Sequence, residues 1–420
     1  MNGHIAKEKI DKVLNDFTPQ VQGLLSEMIR FPSIHGSETG IQRYLERKWT
    51  DAGFEVRRHP ISETIKADPE YTPVEPDLDF KGRDNLVVRM KGRGQGRGRS
   101  VILNSHVDVV PAGQWKGAFE PIVDGQWIYG RGACDAKGCV ATMYLVACSL
   151  RKLGLPFCGE VIYQMVIDEE VGGNGSLSLI REGIRADGAV VLEPTKLTLH
   201  PANRGAIWFR FEFEGKPTHM GRKDQGVSAI DLARETIGIL YEYEKELVQD
   251  QESQPLFSHY GLPAQVNIGV LTAGEWPSMV AGSAVMEGGI GFLPNRPMSQ
   301  VKQDVVRYLK EKGSDTLKSR YRLSFPRLHN DSYETPVTDP LVQAFRAAAK
   351  ATDAQDNIVG WNVSCDARLF AKLAGMPTVV FGPGDIEHAH SSAEKVHLSE
   401  IVVAAETLIR FIEKWCGGVA

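Results

Sequence analysis

The stretch QMVIDEEVGG, Gln164–Gly173, decides how this chain is read. Tyr163, Met165, Val166 and Ile167 end an apolar run of the kind that forms a buried strand, and Asp168, Glu169 and Glu170 follow without a gap. Three adjacent carboxylates at the mouth of a hydrophobic strand repel one another unless a positive charge gathers them. In extended backbone alternate side chains face opposite ways, which would send Glu169 and Glu170 to different neighbours.

The same composition recurs along the chain. VILNSHVD ends in His106 and Asp108, AVVLEP in Glu193, and TVVFGPGDIEHAH leads to His388 and His390. Asp135 stands in a glycine-rich loop, GRGACDAKG, ahead of a helix. The carboxyl ends of strands in an open parallel sheet line one crevice, so residues this far apart can meet there. Each alone has an ordinary reading: a hydrogen-bonded strand-end histidine, an exposed glutamate before proline, an aspartate capping a helix. Together they would be destabilised without counter-charge, and no cluster of Lys or Arg accompanies them, which leaves divalent metal ions. Imidazole and carboxylate without thiolate suit Zn²⁺, or Mn²⁺ and Co²⁺. Pairs of ions about 3.5–4 Å apart share a carboxylate in many hydrolases. Asp108, two residues from His106, is spaced to accept the other imidazole N–H.

Around these motifs helix and strand alternate up to GAVVLEP, which predicts an α/β domain with a largely parallel sheet. DNLVVRMKG and RSVILNSH are joined by RGQGRG, read as a hairpin or tight connection, with 92–99 as a solvated turn. From about Ala206 the pattern changes to AIWFRFEFEG, a long amphipathic helix, two strands (the second read as MVAGSAVMEGGIGFLP), another helix and the strand RYRLSFPRLH. That β-α-β-β-α-β order predicts a ferredoxin-like α+β insertion. The expected division is 1–205 and 331–420 for a catalytic domain and 206–330 for the inserted one.

At 420 residues two domains are the natural expectation, and a net charge of −5 argues against a nucleic-acid binder. The charged N-terminus lacks the run of a signal peptide, and no stretch approaches the ~18 apolar residues that span a bilayer. Six cysteines without a C-x-x-C pair suit reduced thiols in the cytoplasm.

SHVDVVPAG, GRGACDAKG, IDEEVGG, VLEPT and AHSSAE, in this order and spacing, resemble the motifs of the co-catalytic zinc amidohydrolases and peptidases. That family includes acetylornithine deacetylase, succinyl-diaminopimelate desuccinylase, aminoacylase and carboxypeptidase G. The resemblance implies that His106 and Glu193 hold one ion, that Glu170 and His390 hold the second, and that Asp135 bridges both. It makes Glu169 the general base and Asp108 the residue that orients His106. The preference for His390 over His388 rests on AHSSAE alone. The inserted segment resembles the family's lid and dimerisation domain. GKPTHMG implies that His219 reaches the partner subunit's site in a homodimer and donates to the carbonyl oxygen of the tetrahedral intermediate. The chain departs from the family at VMEGGIGFLP, where relatives commonly carry an arginine for the substrate carboxylate. Residues 287–292 contain none, and Arg204 and Arg368 are the remaining anion-binding candidates. The implied activity is C–N bond hydrolysis in a small molecule. An N-acyl amino acid deacylase comes first, a dipeptidase or carboxypeptidase second, and an unusual C–N hydrolase such as an aromatic amine aminohydrolase stays open. A non-catalytic metal-binding relative could lose the base or ligands freely, whereas every position is filled here.

Overall fold

In the computed structural model, which describes residues 5–94 and 97–417, the run ahead of Asp168 is the strand Glu160–Val166, buried at every position. It pairs in parallel with Ser100–His106, that strand with Ala189–Val191, and that one with Thr378–Val380. These four parallel strands end at one edge, which is why the motifs following them converge. The flanks are antiparallel: Asn85–Lys91 beside Glu160–Val166, Val56–His59 beside Asn85–Lys91, and His200 opposite Val380. The nine-stranded sheet is therefore mixed, and the expectation of a largely parallel sheet is corrected.

The expected pairing of DNLVVRMKG with RSVILNSH is corrected as well. Glu160–Val166 lies between these strands, antiparallel to one and parallel to the other. The two strands run antiparallel to one another with that third strand inserted between them, so their link passes over its end instead of closing a hairpin. Gln95 and Gly96, within the proposed solvated turn, fall outside the described residues.

Two compact units emerge. The first comprises 1–202, 334–359 and 365–420; the second comprises 203–333 and 360–364. In the first, the helix Lys137–Lys152 is buried from Lys137 to Leu150 and packs against Lys7–Ile29 and Leu398–Trp415. An all-round apolar helix of this kind belongs in a core. Trp49 anchors the neighbouring layer, with ring centroids 5.4 Å from Tyr144 and 5.3 Å from Tyr163.

The second unit has an antiparallel sheet in the order Gln265–Ala273, Ser283–Phe292, Gly205–Glu214, Tyr321–Ser324, with His329–Asn330 also on Gly205–Glu214. Phe209, Phe211 and Phe213 are buried while Trp208 is exposed, the period-two alternation of a half-covered strand. RYRLSFPRLH breaks into two short strands, and the strand expected from Met279 begins at Ser283. Among the described residues no helix is long and apolar enough to cross a membrane, and all six cysteines are free.

Candidate metal centre

His106 ends its strand almost fully buried, and its Nδ1 donates to the backbone carbonyl of Asp108 at 2.9 Å. The Asp108 carboxylate lies 3.6 Å from the same nitrogen and accepts the Glu170 backbone N–H at 3.0 Å. The carbonyl, rather than the carboxylate, thus takes the imidazole hydrogen bond expected of Asp108. With Nδ1 so engaged, Nε2 faces Asp135 Oδ1 at 3.0 Å and Glu193 Oε2 at 3.7 Å. On the far side His390 Nε2 lies 3.3 Å from Asp135 Oδ2 and 3.1 Å from Glu170 Oε2. Asp135 therefore turns one carboxylate oxygen toward each histidine. His388 ends the short helix Ile386–His388 instead.

Donor atoms of His106, Asp135 and Glu170 lie within 4.8 Å of one another, as do those of His106, Glu169 and Glu193. Burial and the charge of Glu193 push Glu169 well above the carboxylate range. Burial and Asp135 raise Glu170 to about 7, and burial likewise raises Glu193 to about 7 despite the neighbouring His106. Hydrogen bonds to Asp135 and Glu170 hold His390 up at about 10. Burial alone would raise Asp135, but His106 and His390 keep it well below its usual range. Imidazole nitrogens and carboxylate oxygens facing one another this closely need a proton or a cation between them. One oxygen of the buried Glu193 has no hydrogen-bond partner at all. The donor set fits hard or borderline divalent ions.

A third cluster, His35, Glu38 and Asp168, has the same donor spacing. There the cation is already present: the buried Arg83 guanidinium donates to Asp168 at 2.5 Å and to Glu38 at 2.6 Å. For Asp168, then, a guanidinium supplies the counter-charge that the sequence reading seeks in a metal ion. Nor is the acidic run extended. Asp168 has φ +62°, and Glu169 and Glu170 lie in the turn that follows, so a reversal of the chain parts the three side chains.

Asp135 does not cap the helix Lys137–Lys152, whose N-cap position is Ala136 with no side-chain bond. Its loop is held by Glu394, a residue not anticipated from the sequence. Glu394 Oε1 accepts backbone N–H bonds from Gly132, Cys134 and Asp135 at 2.9–3.1 Å, and Oε2 accepts from Arg131 at 2.6 Å. Asp366, also unanticipated, is buried and raised to about 6 by that burial. Arg368, next to it, donates to the Gly172 carbonyl at 3.0 Å and faces Glu70 at 3.7 Å.

The remaining candidates lie in the second unit. His219 is exposed, and its Nδ1 accepts the Gly221 N–H at 3.2 Å, the cap of a short turn. Arg204 Nη1 donates to Gln265 Oε1 at 2.5 Å, while its buried Nε has no partner. A Cβ at Gly291 would sit 2.8 Å from Arg204 Nη1, so the glycine leaves the space that this guanidinium uses.

The model of peptidase family M20/M25/M40 matches residues 102–414. The chain is 26% identical to the N-formyl-4-amino-5-aminomethyl-2-methylpyrimidine deformylase of Bacillus subtilis (strain 168), covering 98% of this chain and 97% of that one. It is 27% identical to the acetylornithine deacetylase of Myxococcus xanthus, covering 96% and 100%. Among solved structures, a tripeptidase from Staphylococcus aureus shares the mixed α/β fold with a TM-score of 0.75 at 21% identity, over 94% of this chain and 98% of that one. The matched span takes in all the candidate ligands from His106 to His390, and the chain belongs to peptidase family M20/M25/M40.

Proposed function

We propose that this family hydrolase cleaves a C–N bond of a small molecule with two divalent ions, Zn²⁺ before Mn²⁺ or Co²⁺. His106 and Glu193 would hold one ion, Glu170 and His390 the other, with Asp135 between. The observation that carries this reading is Asp135 itself, one oxygen 3.0 Å from His106 and the other 3.3 Å from His390. When bound, such ions act as Lewis acids on the scissile carbonyl. Glu169 takes the proton of the attacking water and passes it to the leaving amine, the work of a positioned carboxylate beside the ligands of one ion. Asp108 steadies both sides of the site, His106 through its backbone carbonyl and the Glu170 N–H through its carboxylate. Free cysteines agree with a cytoplasmic setting.

An N-acyl amino acid deacylase of the acetylornithine deacetylase type is the first assignment, with dipeptides next. The half-buried Arg204 guanidinium, which donates to Gln265 and has no carboxylate in ion-pair contact among the described residues, favours an anionic substrate; a charge shielded from water without an opposite charge is costly. An uncharged N-formyl amine, like the substrate named for the Bacillus relative, is the second reading, favoured by the glycines at 289 and 291. A screen of N-acyl amino acids, dipeptides, N-formyl amines and aromatic amines with added Zn²⁺, Mn²⁺ or Co²⁺ tests both. Turnover of N-acyl amino acids, stopped by chelation, is expected. Arg204→Met should raise KM for them by about 10-fold or more and leave uncharged substrates alone. Activity unchanged by chelation in metal-free protein would refute the dinuclear reading.

The second unit is assigned as a ferredoxin-like lid and dimerisation domain, supported by its β-α-β-β-α-β order. Its edge strand Gln265–Ala273 exposes Val270 and Leu271, an open edge suited to pairing with a second copy. Sedimentation should give a homodimer that Leu271→Lys weakens. If His219 serves the partner's site as an oxyanion donor, His219→Ala lowers kcat by about 10²–10³-fold. Full activity in that variant would remove the role.

A further inference from the structure

We propose that Arg83 is a positioning residue: by holding the Asp168 carboxylate it fixes the turn that aims Glu169 and Glu170 at the two ion clusters. This rests on the roles proposed above for those two glutamates.

The turn is unusual for what it asks of Asp168. A φ of +62° is a conformation that L residues other than Asn and Asp rarely adopt. Two contacts hold it. The Asp168 carbonyl accepts the Gly173 N–H at 2.7 Å, and the carboxylate accepts from Arg83 Nη2 at 2.5 Å with His35 Nδ1 at 2.9 Å. Arg83 is itself immobilised, since Glu38 takes its Nε at 2.8 Å and its Nη2 at 2.6 Å in a two-pronged pair, and Phe80 lies against the guanidinium. Asp168 and Glu38 have no exposed surface and Arg83 only 4%. The guanidinium nitrogen already stands among the donor atoms of this cluster, and His35 lies beside the Asp168 carboxylate as a second basic side chain.

The consequence lies in the adjacent residues. The segment is pinned at Asp168 by Arg83 and at the Glu170 N–H by Asp108, so Glu169 hangs between two fixed points. Without Arg83, Asp168 and Glu38 would face each other as buried like charges, and the first pin would be weakened to the contact with His35. The two glutamates would then lose their aim while their own contacts stayed chemically intact.

The tests are Arg83→Met, Asp168→Ala and Asp168→Asn in the full chain, with Co²⁺ as the metal probe. Arg83→Met is expected to lower kcat by about 100-fold, with KM within about 3-fold, and to change the visible absorption of the Co²⁺-loaded protein. Asp168→Asn keeps an acceptor for Arg83 and tolerates the left-handed turn, so it should stay within about 10-fold of the parent. If Arg83→Met does not fold, Asp168→Ala decides, because it removes the contact yet leaves Arg83 paired with Glu38; about 30-fold or more in kcat with a changed spectrum is expected. A folded Arg83→Met or Asp168→Ala protein with the parental kcat and Co²⁺ spectrum overturns the proposal, even if its Tm falls. Failure of the underlying reading looks different: the parent itself would bind no Co²⁺, or Glu169→Gln would be fully active.

Discussion

Glu169→Gln is expected to lower kcat by about 10²–10⁴-fold while the protein keeps its metal. Glutamine has nearly the same shape, so its place beside His106 and Glu193 is preserved. What disappears is the carboxylate that receives and returns a proton. Without a dication, burial and the neighbouring acids raise Glu169 well above an ordinary glutamate, and bound ions would lower it toward the ionised form a base needs. Metal analysis separates this role from ligation. Loss of activity with metal content unchanged supports the base, whereas loss of one equivalent makes Glu169 a ligand. Full activity would sink both.

Removing the ions should cost stability as well as turnover, and the cost should grow with pH. Without a dication the folded-state values of Glu170 and Glu193 lie at about 7, above the ordinary glutamate value of 4.5. The stability such groups contribute is complete below about 4.5 and is lost as pH rises through about 7. His390, raised from 6.5 to about 10 by Asp135 and Glu170, adds a loss in the same direction at higher pH. Asp135 is held low, so its contribution fails only in acid well below this window. Chelated protein should therefore unfold more easily at pH 8 than at pH 5.5. Added Zn²⁺ should raise Tm more at pH 8, by at least about 5 °C beyond its gain at pH 5.5. An equal gain at both values would mean that the acids are not gathered around the ions.

The strand ends and the residues they carry were legible in the sequence because burial on both faces writes a continuous apolar run and a functional edge follows it. His106, Glu193 and the acids after Ile167 could be placed this way, each just past a parallel strand. Arg83 could not. It precedes a strand that runs antiparallel to the central ones, so the start of Asn85–Lys91, rather than its end, lies beside Met165 at the functional edge. A largely parallel reading looks at the wrong terminus of that strand. Glu394 was hidden for another reason: beside its pair with Arg131, one of its oxygens works on three backbone N–H groups, which leave no mark on the residues it binds. The separation of Asp168 from Glu169 depends on one positive φ that no periodicity signals, and Arg204 is set apart only by the missing side chain at Gly291.

The order of strands across the sheet also bears on how the protein is made. Ala189–Val191 has Ser100–His106 on one side and Thr378–Val380 on the other, so an interior position is filled by a segment synthesised almost two hundred residues later. During translation the emerging chain must keep a Val-rich strand edge unpaired through the whole of the second unit. Until Thr378–Val380 is made, that edge is open to chaperones and to wrong partners.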